Sequence, residues 1–179
     1  AAFAVVVNHF KSKGDSNPAA TGDNANGPQG AFNGDRVRQA AALAAFAEEF
    51  AASRGTEQIF LTGDFNAYTS EDPIVALGEA GFTPIESDQA DDESYSFSGL
   101  SGSLDHVLAN AAARELVTGA DIWEINADES IAFQYSRHNY NATAFFNAGD
   151  PFASSDHNPE LVGLATAQTP AQTDIQVLA

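Results

Sequence analysis

Four short stretches place carboxylate, amide and imidazole side chains directly beside apolar runs. They are Asn8-His9, Gly63-Asp64-Phe65-Asn66, Leu104-Asp105-His106 and Ser155-Asp156-His157. An imidazole can give or take a proton near neutral pH, and a carboxylate can orient it. Carboxylate and amide oxygens are also ligands that hard divalent metal ions prefer. These stretches therefore indicate acid–base or metal-dependent chemistry, provided that the fold brings them together.

The second stretch follows Ile59-Phe60-Leu61-Thr62, a run typical of a buried strand. Gly63 then allows a sharp backbone turn at low cost. Asp64 and Asn66 are two residues apart, so their side chains share one face if the segment is extended. We interpret them as a polar site at the edge of an α/β sheet. An ordinary turn is the alternative, because Gly, Asp and Asn all favour turns.

The third stretch lies in the segment Ser103–Ala109, which alternates as a strand does. Asp105 shares a face with Val107, whereas His106 points to the opposite face. A carboxylate on a strand face needs a partner. His157 is the candidate, because a carboxylate fixes the orientation of an imidazole and raises its basicity. We predict that His106 has a structural role only.

Taken in order, the four stretches resemble the motifs of the exonuclease–endonuclease–phosphatase superfamily, which includes deoxyribonuclease I and the abasic-site endonucleases. Three longer segments are similar to its secreted bacterial nuclease branch, namely Asn8-His9-Phe10-Lys11-Ser12-Lys13, Gly30–Ala40 and Trp123–Glu129. The resemblance covers roughly residues 3–165. It implies an α/β fold, specifically the C-terminal half of a deoxyribonuclease I-like four-layer α/β/β/α sandwich.

The resemblance also implies metal-dependent hydrolysis of phosphodiester bonds in nucleic acid, DNA rather than RNA, leaving 5′-phosphate and 3′-hydroxyl ends. Magnesium is the expected metal, with manganese and calcium as alternatives. The implied catalytic residues are His9, Asp64, Asn66, Asp105 and His157. The implied metal ligands are Asp64, Asn66 and Asp156. The residues implied to hold flanking phosphates are Lys11, Lys13 and Arg36.

In the implied mechanism, His157 is oriented by Asp105 and acts with Asp64 to position and deprotonate the attacking water. His9 protonates the leaving sugar oxygen. Asn66 and the metal ion stabilise the charge that grows on the phosphate oxygens.

The strongly acidic composition of the chain means that a nucleic-acid substrate would need a local cluster of cations to bind. The 179 residues include 7 Lys and Arg against 25 Asp and Glu, a formal net charge of −18, whereas nucleic-acid binders are normally basic where they contact phosphate. The cations are concentrated beside His9, because residues 11–38 total +1 (4 minus 3) and the remainder totals −19 (3 minus 22). An acidic exterior suits a secreted protein, so we predict an extracellular or cell-surface location. No apolar run is long enough to predict a membrane span.

Periodicity predicts the elements that carry these residues. Apolar residues at spacings of three and four predict a helix over Arg36–Ala52 with Asp35 as N-cap. Asp72-Pro73 opens a second helix that ends before Gly81. Residues 14–34 are predicted to be a long flexible loop. The predicted strands are Phe3–Val7, Ile59–Thr62, Ser94–Phe97, Ser103–Ala109, Ile122–Ile125 and Glu160–Ala165, with a turn at Gly99–Gly102.

We predict three segments in the chain. Residues 1–165 form the C-terminal portion of the nuclease-like domain, residues 166–174 are a linker, and residues 175–179 begin a following domain. A sheet with one helical layer leaves its other face uncovered. The missing N-terminal half of the same domain is therefore an expected partner, and the fragment alone is expected to be inactive.

Two other functions remain open at this point. A phosphatase or a phospholipid phosphodiesterase on the same scaffold would use the same residues, and the acidic composition is compatible with either. The second alternative is a catalytically silent surface module that binds calcium or a partner protein through residues 14–34.

Overall fold

The computed structural model describes residues 2–15, 19–89, 91–97, 99–134, 145 and 147–165. The predicted linker 166–174 and the predicted domain start 175–179 lie outside these residues. The described strands are β1 (Ala4–His9), β2 (Ile59–Asp64), β3 (Thr83–Pro84), β4 (Tyr95–Phe97), β5 (Leu100–Gly102), β6 (Asp105–Ala109), β7 (Val117–Ile122) and β8 (Glu160–Leu164). The described α-helices are α1 (Asn33–Arg54), α2 (Asp72–Glu79) and α3 (Ala111–Arg114).

Four strands form a mixed sheet in the order β1-β2-β6-β3. β1 and β2 are parallel, and β6 is antiparallel to both β2 and β3. A parallel pair needs a long crossover connection, which α1 supplies. β4 pairs with β5 and β7 pairs with β8 in separate antiparallel sheets. The predicted α/β class is therefore confirmed, whereas the assignment to one half of a four-layer sandwich stays a prediction.

One face of the four-stranded sheet, the closed face, packs against α1 and α2. Its central side chains, Leu61 and Leu108, are completely buried in one apolar cluster with both helices. The sheet-facing side of α1 is mostly alanine, and these small side chains let the helix approach the strands closely at native packing density. The buried alanines are Ala40, Ala44, Ala47 and Ala51.

The opposite face of the sheet, the open face, retains apolar side chains in contact with solvent. Along β1 and the residue before it, Phe3 is 39%, Val5 is 47% and Val7 is 76% exposed. Val162 and Leu164 of β8 line a groove with this face on the side nearer β6. The open face comprises Phe3, Val5, Val7, His9, Phe60, Thr62, Asp64, Asp105 and Val107.

The first helix begins differently from the prediction. It starts at Asn33, and its N-cap is Phe32, in the left-handed conformation with φ of 62°. Asp35 does not cap the helix, because its carboxylate binds Arg38 at 2.6 Å. Its backbone N–H instead donates to the side chain of Asn24 at 2.8 Å. An apolar-periodicity argument could not locate this start, since a distant asparagine in the preceding loop satisfies the helix terminus.

The loop before α1 is anchored by a buried charge. Arg36 is completely buried, and its guanidinium donates to the carbonyl oxygens of Gln29 at 2.7 Å, Ala31 at 2.8 Å and Lys11 at 3.2 Å. Buried charges persist only when they are hydrogen-bonded in this way. These bonds fix the loop at Gln29 and Ala31, and the flexibility predicted for residues 14–34 stays a prediction.

Two strand predictions also need correction. The predicted strand Ile122–Ile125 lies mostly beyond β7, which spans Val117–Ile122 because its pairing with β8 sets the register. The predicted turn Gly99–Gly102 contains the strand β5. The second helix, by contrast, begins at Asp72 with Pro73 in its first turn and ends two residues before Gly81, as predicted.

Candidate active site

The carboxylate of Asp64 and the imidazole of His9 meet at the end of the parallel strands. These two residues are register partners, and Nε2 of His9 lies 3.3 Å from Oδ2 of Asp64. Gly63 permits the close approach of the strands, because a Cβ there would overlap the carbonyl oxygen of Asn8 and its φ is 133°. The backbone thus places an acid and an imidazole side by side.

Asn66 reaches Asp64 by a different route from the one predicted. The strand ends at Asp64, and Asn66 adopts the left-handed conformation with φ of 48°, which asparagine tolerates better than most residues. Its backbone N–H donates to Oδ1 of Asp64 at 2.7 Å, and its side-chain amide donates to Oδ2 at 2.9 Å. The two side chains are therefore neighbours through a turn and not through an extended segment.

The surroundings of Asp64 favour its protonated form relative to an exposed carboxyl. Burial raises the pKa of Asp64, and the negative charge of Asp105 adds to this shift. The hydrogen bond from the Asn66 N–H and the nearby His157 and His9 oppose it. A carboxylate whose pKa moves toward neutrality is a better proton acceptor than an ordinary one.

The predicted pair of Asp105 and His157 is present. Nδ1 of His157 lies 2.6 Å from Oδ2 of Asp105, and each side chain is about a quarter or less exposed, at 25% and 21%. With Nδ1 engaged by a carboxylate, Nε2 is left to accept or donate a proton. The hydrogen bond to Asp105 raises the pKa of His157, although burial opposes the shift.

A serine that sequence reasoning missed holds Asp105 in place. Ser94 is completely buried, and its hydroxyl donates to Oδ2 of Asp105 at 2.8 Å. The hydroxyl oxygen of Ser94 also accepts from the backbone N–H groups of Leu104 and Asp105, at 3.0 and 3.1 Å. Ser94 is thus a positioning residue. Nothing in its local sequence signals the role, because the contact joins two separate segments.

Two asparagines hold the turn that carries His157. The side chain of Asn126 donates to the carbonyl oxygen of His157 at 2.8 Å. The side chain of Asn158 accepts from the backbone N–H groups of Asn126 and Ala127, at 2.9 Å each, and donates to Asp128 at 2.8 Å. The segment Trp123–Glu129, noted in the sequence only for its resemblance to a nuclease branch, therefore supports the turn bearing the imidazole.

His106, next in sequence to Asp105, lies on the closed face, as predicted. It is 5% exposed, and its Nε2 lies 2.8 Å from the carbonyl oxygen of Ala67. Burial lowers the pKa of His106, which keeps the ring neutral near pH 7. It supports the turn after Asp64 without facing the candidate site.

A further acid, Glu160, begins β8 beside the candidate site. It lines a cavity together with Glu86 and Asp121. Burial raises the pKa of Glu160 to about 8, and the negative charges of Asp105 and Glu86 add to the shift. This carboxyl is therefore largely uncharged at neutral pH.

The predicted metal ligands do not form a metal site by themselves. In the described parts of the chain, no three side chains among His, Asp and Glu are grouped so that they could hold an ion. Asp64 and Asn66 are bonded to each other, and the side chain of Asp156 is exposed. These residues therefore do not fit a complete divalent-metal centre.

The three cations predicted to bind phosphate differ in whether their charged groups remain available to a substrate. Arg36 is buried and bonded to carbonyl groups, so its predicted contact with substrate is wrong. Lys13 donates to both carboxylate oxygens of Glu71 and lies over the ring of Tyr68. Lys11 is only partly buried and lies 4.3 Å from the centroid of the Phe32 ring. Of the three, Lys11 alone is neither fully buried nor paired with a carboxylate in the described residues.

A model of the Endonuclease/Exonuclease/phosphatase family matches residues 2–157. Among solved structures, the chain is similar to an endonuclease/exonuclease/phosphatase family protein from Bacteroides thetaiotaomicron, with 19% identity and a TM-score of 0.42 over 51% of this chain and 34% of that one. It is also similar to sphingomyelinase C from Streptomyces griseocarneus, with 18% identity and a TM-score of 0.41 over 66% of this chain and 40% of that one.

The chain thus spans 34% and 40% of the length of these two structures. A comparison with curated protein sequences gave no match. None of the described helices is long and apolar enough to cross a membrane. The family match extends over most of the sequence and includes all four motifs. The chain therefore belongs to the endonuclease/exonuclease/phosphatase family, whose enzymes act on phosphoester bonds.

Proposed function

We propose that this chain, together with the remaining half of its domain, hydrolyses phosphodiester bonds in nucleic acid, DNA in preference to RNA. The observation that carries the proposal is the 2.6 Å contact between His157 and Asp105, on the face where His9 meets Asp64. An imidazole oriented by a carboxylate, with a second imidazole beside it, provides a proton acceptor and a proton donor at one edge of a sheet.

The proton transfers follow from this arrangement. Nε2 of His157 takes a proton from the attacking water as its oxygen bonds to phosphorus, and Asp64 helps to hold that water. His9 gives a proton to the leaving sugar oxygen as its bond to phosphorus breaks. The products are a 5′-phosphate and a 3′-hydroxyl. Asn66 keeps the Asp64 carboxylate oriented through the bonds described above.

Enzymes of this family generally use divalent metal ions. Magnesium, with manganese or calcium as alternatives, remains our proposal for this chain, with Asp64, Asn66 and Asp156 contributing. Further ligands would have to come from outside the described residues, since these do not form a complete group. Calorimetric titration with magnesium tests this: binding by the wild type that weakens in Asp156→Ala would support the proposal, and equal binding would contradict it.

The exposed apolar side chains of the open face support the proposed partner, the remaining half of the same domain. A soluble monomer rarely leaves a contiguous apolar patch uncovered, and here the patch continues into His9 and Asp64. A covering layer would bury the apolar patch and would border the site at His9 and Asp64 without closing it. The 179-residue chain should bind an apolar fluorescent dye strongly, and mutation of Val5 and Val7 to Ser should reduce this binding. Absence of dye binding by the wild type would contradict the proposal.

The nuclease proposal is tested by nicking of supercoiled plasmid with magnesium and with chelator. With the remaining half of the domain present, the wild type should nick plasmid. Asp64→Ala and His157→Ala should lose the activity while they keep the wild-type circular dichroism spectrum. Asp121→Ala, which removes an exposed carboxylate on β7, is the matched control and should nick normally. Full nicking by Asp64→Ala and His157→Ala would refute the assignment.

The pairing of the cations favours a second candidate function. Arg36 and Lys13 are engaged internally, and Arg38 binds both Asp23 and Asp35. A substrate with few negative charges, such as a phosphomonoester or a phospholipid phosphodiester, suffers less repulsion from an acidic surface than a long nucleic acid does. Hydrolysis of a small phosphomonoester without plasmid nicking would favour this candidate.

The secreted nuclease branch and an extracellular location also remain proposals. The branch is supported by the contacts that Asn126 and Asp128 make with the turn around His157. The location rests on the acidic composition alone. Detection of the protein in culture medium, without a cytoplasmic marker, is the direct measurement of the location.

A further inference from the structure

A row of aromatic rings leads away from the candidate site along the β4–β5 hairpin. Tyr95 forms an isolated backbone bridge with His157, and its ring centroid is 4.6 Å from that of the imidazole. The ring of Phe97 follows at 6.3 Å from that of Tyr95, with only 9° between their planes. The two residues are i and i+2 on one strand, so their side chains share a face.

The outer end of this row is exposed to solvent. Phe97 is 65% exposed, and Leu100, its register partner on β5, is 75% exposed. A phenyl ring that is mostly exposed on a two-stranded hairpin buries little apolar area and so adds little to the stability of the fold. Through Tyr95, the Phe97 ring continues a row of rings that begins at His157, the proposed proton acceptor.

Electrostatic attraction has little to contribute to binding at this site. Three of the four cations between residues 11 and 38 are buried or paired with carboxylates, as described above. Duplex DNA is held mainly through its phosphates, and each neutralised phosphate adds to affinity. Single strands are held in addition by stacking of unpaired bases on aromatic rings, which tolerates any base because every base has a π face.

We propose that Tyr95 and Phe97 form a stacking platform for the unpaired bases of single-stranded nucleic acid next to the scissile phosphate. The inference rests on the proposed function and narrows its substrate class from nucleic acid to single strands. Bases inside a duplex are stacked on one another and cannot reach these rings without local opening. A duplex would also bring a denser row of phosphates against an acidic surface.

The test compares two fluorescent 12-mers with the same number of phosphates, oligo(dT) and an abasic backbone. Anisotropy titrations are made with the 179-residue protein in chelator, so that no turnover occurs. The wild type should bind oligo(dT) about tenfold more tightly than the abasic strand, because only oligo(dT) can stack. Phe97→Ala should reduce the affinity for oligo(dT) about tenfold and leave the abasic strand unchanged.

Leu100→Ala is the matched control, because it removes an equally exposed apolar side chain from the paired strand without removing an aromatic ring. It should change neither affinity. Equal affinities of the wild type for the two strands would overturn the proposal. So would duplex DNA bound as tightly as oligo(dT), or loss of affinity for zwitterionic phosphatidylcholine vesicles in Phe97→Ala, which would assign the hairpin to lipid.

Hydrolysis of bis(4-nitrophenyl) phosphate separates this inference from the function on which it rests. Activity that Asp64→Ala abolishes, without any preference for oligo(dT) over the abasic strand, would leave the phosphodiesterase standing and remove the stacking platform. Absence of this activity in the intact protein under metal-replete conditions would remove the proposed function, whatever the binding titrations give.

Discussion

The two faces of the four-stranded sheet are built from the same strands but place polar side chains in opposite environments. The closed face buries Leu61, Leu108 and the imidazole of His106, whose pKa burial lowers. The open face presents His9, Asp64 and Asp105, and there the carboxylate partner raises the pKa of His157. One face stabilises the fold, and on the other the surroundings of His157 favour the charged form of its imidazole.

The difference lies in neighbours and not in residue type. Asp105 and His106 are adjacent in sequence, and the alternation of a strand sends them to opposite faces. His106 meets a backbone carbonyl in an apolar layer, whereas the imidazole on the open face meets a carboxylate. The same chemical group thus becomes a structural or a reactive one according to the face on which it lies.

The largest expected effect is a loss of activity when the carboxylate of Asp105 on the open face is removed. Asp105→Asn should lower kcat/KM on bis(4-nitrophenyl) phosphate by about 10³-fold, because His157 loses the group that orients its ring. The thermal midpoint should change little in comparison. An activity within tenfold of the wild type would show that the pair is not part of the catalytic machinery.

On the closed face, Leu61→Ala should lower the free energy of unfolding by about 3 kcal/mol, because it leaves a cavity among completely buried side chains. Val5→Ala, on the adjacent strand but half exposed on the open face, should cost less than about 1 kcal/mol. Urea denaturation followed by circular dichroism measures both. Similar costs at the two positions would mean that the open face is buried in solution.

The Glu160 carboxyl provides a pH-dependent comparison. Its pKa is about 8 in the folded chain against 4.5 for an ordinary glutamate, so the folded state holds the proton more tightly and loses stability as pH rises from 4.5 to 8. Glu160→Gln should therefore match the wild type below pH 4.5 and be more stable by about 2 kcal/mol at pH 9.

Denaturation at the two pH values tests this, with Glu79→Gln on the exposed side of α2 as control. The stability gain must be confined to the higher pH and to Glu160→Gln. An equal gain at both pH values would instead indicate a general packing or hydrogen-bonding effect of the amide.

A smaller effect is expected in the pH dependence of turnover. A general base must be neutral, so kcat/KM should fall on acidification through the pKa of His157, which the Asp105 hydrogen bond raises above 6.5. In Asp105→Asn the residual activity should fall at a lower pH than in the wild type. A pH–rate profile with an unmoved acidic limb would assign that limb to another group.

The smallest effect is expected at the most exposed apolar position. Val7 is 76% exposed, so Val7→Thr should change the free energy of unfolding by less than about 0.5 kcal/mol. Val6 is buried beneath α1. Val6→Thr should therefore lower the free energy of unfolding clearly more than Val7→Thr does, since it buries a hydroxyl group. Equal effects at these neighbours would remove the distinction between the faces.

Local patterns were sufficient for much of the fold and for part of the site. Strand alternation predicted the opposite faces of Asp105 and His106, and the need of a strand-face carboxylate for a partner predicted its contact with His157. The Pro73 and Gly81 signals bracketed α2 closely. Each of these inferences depends on residues a few positions apart, or on a motif whose chemistry requires a partner.

What the sequence could not predict depends on contacts between distant segments. Arg36 lies in the segment where the cations are concentrated, which suggested a phosphate ligand. In the folded chain its guanidinium is instead bonded to three backbone carbonyls that folding brings together. Ser94 became a support for Asp105 only through the approach of two segments. The position of β7 followed its partner β8 and not its own apolar residues. Local propensity carries no information on such partners.

Gly63 has a consequence for how this sequence can vary. Any side chain at this position would push β1 and β2 apart at the point where His9 and Asp64 are in contact. A saturation library at Gly63 should therefore yield glycine alone among active clones, although the residue has no functional group. A library at nearby Val7 should accept many residues. The range of residues tolerated at each position of these strands thus depends on how closely the backbones of β1 and β2 approach each other.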